Sequence, residues 1–113
     1  MGAPGAGPVL ARHFELLLTE NANVSLNRSL ALFNQQRFGD AVEAAQQALT
    51  INPNLAEAYN NMSAAYTALG QWDNAIQAAR RALDLKPDFQ LARNNLNWAR
   101  AKQSQATASS QPQ

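Results

Sequence analysis

Eight carboxylates and one histidine are the side chains of this 113-residue chain that could carry acid–base or metal chemistry: Glu15, Glu20, Asp40, Glu43, Glu57, Asp73, Asp84, Asp88 and His13. The carboxylates are scattered. Most stand near expected helix starts or on polar faces, where capping and the helix dipole account for them. None is joined to a histidine, lysine or serine at the spacing of a catalytic group. With no cysteine in the chain, disulfides, thiolate metal sites and a cysteine nucleophile are excluded. A single histidine cannot make a His–His metal pair within one chain, and no glycine-rich loop is present to cradle phosphate. We therefore expect no catalytic residue, no metal ligand set and no cofactor, and read His13 as a helix-surface or partly buried side chain. The side chains that recur are amides. Asn27, Asn61 and Asn95 follow one another at intervals of 34 residues. An amide both donates and accepts, which suits the backbone of an extended peptide.

The same interval governs the elements that must hold these amides. A shift of 34 places Ala22 on Ala56, Asn27 on Asn61, Ser29 on Ser63, Ala31 on Ala65 and Ala41 on Ala75. It also places Ala44 on Ala78, Ala45 on Ala79, Ala48 on Ala82, Leu49 on Leu83 and Pro53 on Pro87. Chance in so alanine-rich a chain would give roughly 3 such identities in one unit. Residues 22–55 and 56–89 are thus two copies of one unit, and a partial third begins at Gln90, with Asn95 and Ala99 in register. Within the second copy, Tyr59, Met62, Ser63, Tyr66 and Leu69 mark one helical face, and Ala75, Ile76, Ala79, Ala82 and Leu83 another. Asn54 and Glu57 are spaced as a capping box for the first helix. Gly70 should end it in a left-handed cap. Pro87 should stop the second, and Asp88 can cap the next helix. Two short helices joined by a few residues pack antiparallel. The small Ser63 and Ala75 let them approach closely, with Tyr59, Tyr66 and Trp72 filling the volume alongside. One pair cannot cover its own apolar face, so successive pairs stack.

The series Tyr59, Met62-Ser63, Tyr66, Gly70, Ala75, Ala79, Ala82, Pro87 resembles the tetratricopeptide repeat. The resemblance covers residues 56–89 and 22–55, and extends to 90–102 as a first helix only. It implies an all-α fold, a right-handed α-solenoid of antiparallel helix pairs with two full repeats plus flanking helices. It also implies a concave groove lined by the first helices, and in some members an asparagine ladder at this place holds peptide backbones. The first copy departs from the pattern: Ser25 replaces a large residue, Gln36 the glycine, and Arg28 an apolar residue, so that Arg28 must snorkel or pair, with Glu15 and Glu20 as partners. Residues 9–20 read as an N-terminal flanking helix, the remnant of a preceding second helix, since Ala11 lies two periods before Ala79.

Counted from Ala22, Ala56 and Gln90, the three asparagines take the sixth place, roughly opposite the core-facing places at about 100° per residue. Asparagine costs about half a kcal/mol against alanine inside a helix, and Asn60-Asn61 and Asn94-Asn95 incur that cost twice. Either the duplication carried the residue along or binding requires it. The presumed concave face adds Asn23, Leu26, Leu30, Phe33 and Asn34 in the first copy. In the second it adds Glu57, Asn60, Ala64, Thr67 and Ala68, and in the third Leu91, Asn94, Trp98, Ala101 and Lys102. We take Asn27, Asn61, Asn95, Leu30, Phe33, Asn60, Asn94 and Trp98 as the peptide-binding set. Leu30, Phe33 and Trp98 serve as apolar anchors, Trp98 alternatively packing the terminal helix. A carboxylate clamp of the kind some tetratricopeptide domains use on chaperone C-termini needs converging cations, and among these places only Lys102 is one.

Apolar residues make up 46% of the chain and charged residues 15%, enough for a packed core. Nine Lys and Arg against eight Asp and Glu leave no basic face for nucleic acid. Residues 1–76 carry three arginines against six carboxylates, and residues 77–113 carry six cations against Asp84 and Asp88. That asymmetry could serve head-to-tail association. No segment reaches the roughly 18 apolar residues of a membrane span, and Val9 to Leu18 does not read as a signal peptide. The compartment stays open, the cytoplasm being favoured. The triplets beginning at Asn23, Asn27 and Asn61 match glycosylation sites but fall inside expected helices. Residues 1–8 read as a flexible boundary or an expression remnant, 90–103 as a C-terminal capping helix with a polar outer face, and 104–113 as a disordered tail. The expected role is a non-catalytic module that binds a protein or peptide partner in its groove. The alternative is self-association as a homo-oligomer, or docking on a larger parent protein.

Overall fold

The computed structural model describes residues 21–110. The expected boundary at 1–8 and flanking helix at 9–20 lie outside the described residues, as do positions 111–113. Among the described residues there are five helices and no strand: α1 (21–34), α2 (Phe38–Ile51), α3 (Ala56–Ala68), α4 (Trp72–Leu85) and α5 (Gln90–Ser110). None of these helices is long and apolar enough to cross a membrane. The order of packing follows the chain. Helix α2 lies on α3, α3 on α4 and α4 on α5, and α3 also meets α5. The result is an all-α helical repeat, with α1–α2 and α3–α4 as pairs and α5 opening a third.

Alanine sets the spacing. Ala45, Ala48, Ala58, Ala65, Ala75, Ala79, Ala82, Ala92 and Ala99 are all fully buried. With only a methyl group at each contact, helix axes come together at the short end of the usual range, and larger side chains fill in beside them. Leu49, Leu55, Tyr59 and Tyr66 pack on the cluster around Ala45 and Met62. The approach is close enough for a hydrogen bond across each pair. Ser29 Oγ donates to the Ala41 carbonyl and Ser63 Oγ to the Ala75 carbonyl, both at 2.8 Å and both serines fully buried. The sequence marks these serines as small; the structure shows that they also bond. Each such buried bond contributes about 1 kcal/mol net. Among the described residues no buried side-chain polar atom lacks a partner.

The stops form as expected. Gly70 has φ +78°, and the bonds Gly70 N–H to Thr67 O (3.1 Å) and Gln71 N–H to Tyr66 O (2.9 Å) close a Schellman motif. The first pair ends the same way, with Gln36 N–H on Phe33 O and Arg37 N–H on Leu32 O, both 2.9 Å. There Gln36 itself holds the positive φ, 62°. Relief of that strain is worth about 1–2 kcal/mol, against about 0.4–1 kcal/mol for the extra freedom glycine adds to the unfolded chain. Gln36→Gly should therefore stabilise the domain by about 0.5–1 kcal/mol, a rise of several degrees in a thermal melt. A lower Tm would contradict this account of the turn.

Two expectations are corrected. The capping box at Asn54 and Glu57 does not form, because Leu55 takes the N-cap position and no side chain caps α3. Asn54 N–H instead donates to Asn52 Oδ1 at 3.2 Å. Leu55 packs on the core, and burying a leucine is worth up to about 1.5–3 kcal/mol against about 1 kcal/mol for a cap. Second, α5 runs on to Ser110, where a helix to 103 and a disordered stretch from 104 were expected. Neither glycine nor proline occurs between Gln90 and Ser110, so nothing interrupts the hydrogen-bond ladder. Gln103 Nε2 also donates to Asp73 Oδ1 at 2.6 Å, tying α5 to the first turn of α4. The polar outer face expected for this last helix is present, with Asn97 and Arg100 exposed.

Candidate peptide-binding groove

The first helices of the three units, α1, α3 and α5, stand side by side, and a groove of about 350 Å³ opens between them. Leu26, Asn27 and Leu30 of α1 form one wall; Glu57, Asn60 and Asn61 of α3 form the floor; Phe89 and Leu91 close the far side. Four of the lining residues are large and apolar: Leu30 and Leu91 are 50% and 61% exposed, whereas Leu26 is half-buried and Phe89 belongs to a buried cluster. Helix phase explains the set. Leu26, Asn27 and Leu30 fall three and four residues apart and share one stripe, as do Glu57, Asn60 and Asn61.

Four residues of the expected set meet here: Asn27, Leu30, Asn60 and Asn61. Asn27 is exposed and Asn61 half-buried. Neither side chain makes a hydrogen bond to any described residue, so both amides face the groove with donor and acceptor available. Asn95, also half-buried, reaches across from α5. Its Nδ2 donates to Asn60 Oδ1 at 2.7 Å and lies 3.4 Å from the Asn60 carbonyl. It therefore ties two units together and does not join the other two as a free amide. Asn94 is exposed and accepts from Gln90 Nε2 at 2.9 Å, outside the groove lining.

The two aromatic anchors are not part of the lining. Phe33 is half-buried against the core and meets Phe38 edge-on, ring centroids 5.2 Å apart. The tight turn at 35–37 folds α2 back so that these rings close on each other. Trp98 is 41% exposed farther along α5. Phe89 was missing from the expected set. It ends its unit where Leu55 ends the previous one, an apolar position in both copies, and that recurrence is the signal for it.

Charge in the groove is sparse. Glu57 is the one charged side chain among its lining residues, and Lys86 Nζ stands 3.9 Å from Glu57 Oε1. Lys86 also lies 4.8 Å from the centroid of the Phe89 ring, a cation–π arrangement at the rim.

The tetratricopeptide repeat family model matches residues 22–55 and again 56–89. The chain belongs to the tetratricopeptide repeat family. Among curated proteins it is similar to heat shock protein STI1 of Saccharomyces cerevisiae, 31% identical over 65 residues, 58% of this chain but only 11% of that protein. Among solved structures it is similar to the first TPR domain of human RPAP3, at 27% identity and a TM-score of 0.75, covering 79% of this chain and 70% of that one. The second TPR domain of human RPAP3, in complex with the HSP70 peptide SGPTIEEVD, matches at 26% identity and 0.69, covering 71% and 67%. The first TPR of Spaghetti, bound to the HSP90 peptide SRMEEVD, matches at 31% and 0.69, covering 78% and 67%. Tetratricopeptide repeat domains are non-catalytic interaction modules, and this domain is a protein-interaction module.

Proposed function

We propose that the groove between α1, α3 and the start of α5 captures an extended peptide whose contact residues are apolar or neutral. The observation that carries this reading is the pairing of two unbonded amides, Asn27 and Asn61, with the apolar walls Leu26, Leu30, Phe89 and Leu91. The amides would exchange hydrogen bonds with the peptide backbone while the walls take an aliphatic side chain, the usual division of labour in peptide recognition.

Charge bears on which peptide this groove can take. The peptides bound by RPAP3 and Spaghetti end in Glu-Glu-Val-Asp. Such a terminus needs cations, and here the lining offers Glu57. Its repulsion of a carboxylate about 4 Å away is on the order of 1–4 kcal/mol. Lys86 supplies a cation at the rim, but it already faces Glu57 and the Phe89 ring.

Titration of the purified domain with fluorescent peptides tests the reading. A neutral, leucine-bearing extended peptide should bind at least tenfold more tightly than one ending in Glu-Glu-Val-Asp. Asn61→Ala should weaken the neutral peptide about 2- to 12-fold, the loss of a hydrogen bond worth about 0.5–1.5 kcal/mol, with little change in Tm. Unchanged affinity would remove Asn61 from the mechanism, and a preference for the acidic peptide would overturn the charge argument.

A further inference from the structure

Helix α5 exposes a face that its counterparts cover. In the first two units, the fourth, eighth and eleventh places of the first helix lie toward the second helix of the same pair. They are Ser25, Ser29 and Leu32 in α1 and Tyr59, Ser63 and Tyr66 in α3, and each is half-buried or buried. In α5 the same places hold Arg93, Asn97 and Arg100, all exposed, and no described helix follows α5. Spaced four and three residues apart, the three share one stripe. Leu91, the residue α5 gives to the peptide groove, lies about 160° around the helix from Arg93 at about 100° per residue. The stripe and the groove are therefore separate surfaces.

Two features of the stripe say what fits it. The first is a donor. Ser29 and Ser63 each donate to a main-chain carbonyl of their second helix, Ala41 and Ala75. Asn97 takes the same place and also carries a donor, and its amide has no hydrogen-bond partner among the described residues. The second feature is charge. Helix α5 holds Arg93, Arg100 and Lys102 but no Asp or Glu. The ion pairs among the described residues are Arg37 with Asp40 and Lys86 with Glu57, so none of these three cations is neutralised there. Arg93 gives one N–H to the Pro87 carbonyl at 3.3 Å, which steadies its guanidinium and leaves the charge in place. Solubility of a terminal helix asks only for polar residues. An arginine at both places beside Asn97, where the earlier copies are neutral, adds a field of one sign.

We propose that this face of α5 docks an acidic helix of a partner protein, seated against α5 as α2 and α4 sit against their own first helices. Asn97 donates to a main-chain carbonyl of that helix, as Ser29 and Ser63 do within their pairs. Carboxylates spaced as Arg93 and Arg100 are, two turns apart on one side of the partner helix, take the two guanidiniums, whose planar donors suit them. Charge complementarity selects the partner, and the repeat geometry selects a helix.

The test uses the full chain and a labelled, alanine-rich synthetic peptide of 14 residues, the length of α2 and α4, carrying glutamates at the spacing of Arg93 and Arg100. Fluorescence anisotropy should show binding, and Arg93→Glu/Arg100→Glu should weaken it at least about tenfold. Both side chains are exposed, so Tm should stay within a few degrees of the parent. A peptide with lysine in place of glutamate should reverse the preference and favour the exchanged domain. The neutral, leucine-bearing peptide of the groove should bind both domains alike, so failure of the groove and failure of this face are told apart. Absence of binding, an affinity unchanged by the exchange, or equal binding of a peptide of the same charge broken by a central proline would each overturn the proposal. So would tighter binding of a single-stranded oligonucleotide, or a dimer in light scattering that the exchange abolishes, which would put a second copy of this chain on the face.

Discussion

Ala75→Leu is expected to destabilise the domain by about 1–3 kcal/mol, and each kcal/mol lost lowers Tm by about 4–8 °C in a domain of this size. Ala75 is fully buried where α4 crosses α3, and its carbonyl accepts the Ser63 hydroxyl at 2.8 Å. The added carbons must be placed at a fully buried contact, so either the leucine leaves its preferred rotamers or the helices separate. Separation lengthens the serine bond and loosens the neighbouring contacts of Ile76 and Ala79. Leucine placed instead at Gln77, exposed on the same helix, should change stability by less than about 0.5 kcal/mol. A thermal melt of the two variants decides the matter. Equal Tm values for Ala75→Leu and the parent would show that α3 and α4 do not meet at this alanine.

Leu30→Glu is expected to weaken capture of a neutral peptide by about 10- to 100-fold while leaving Tm within a few degrees of the parent. Leu30 is half exposed in the free domain, so the domain loses little by the change. A bound peptide, however, would lose the apolar surface it covers at that wall, worth roughly half of the 1.5–3 kcal/mol for a leucine fully removed from water. The new carboxylate must also be desolvated beneath the peptide. The split between affinity and stability is the diagnostic feature. Fluorescence titration alongside a melt reads both, and an affinity unchanged by the substitution would place the bound peptide somewhere other than this groove.

Much of the architecture is legible in the one-dimensional pattern. The 34-residue period, the alanines at fixed places, Gly70 and Pro87 define helix pairs and their stops, because a residue's direction around its own helix and the φ it can adopt are local properties. Less legible are features settled by competition. Asn54 has the chemistry of a cap, yet Leu55 holds that position because its burial is worth more. The Ser104–Ser110 stretch carries no apolar rhythm, yet it continues α5, since nothing breaks the helix and Gln103 anchors it to Asp73. Phe33 sits on a helix face that helical phase alone assigns to the groove, and the turn after it delivers Phe38 to its ring.

The asparagines show where the boundary lies. Sequence alone determined that Asn27, Asn61 and Asn95 occupy one register and point to one side of their helices. Only the tertiary structure decided their separate fates. Asn27 and Asn61 stay unbonded beside apolar walls, while Asn95 is taken up by Asn60 of the neighbouring unit. Helical phase fixes a side chain's direction from within a few residues. What it meets there depends on a helix about 34 residues away, and that depends on how closely the alanine contacts let the units stack.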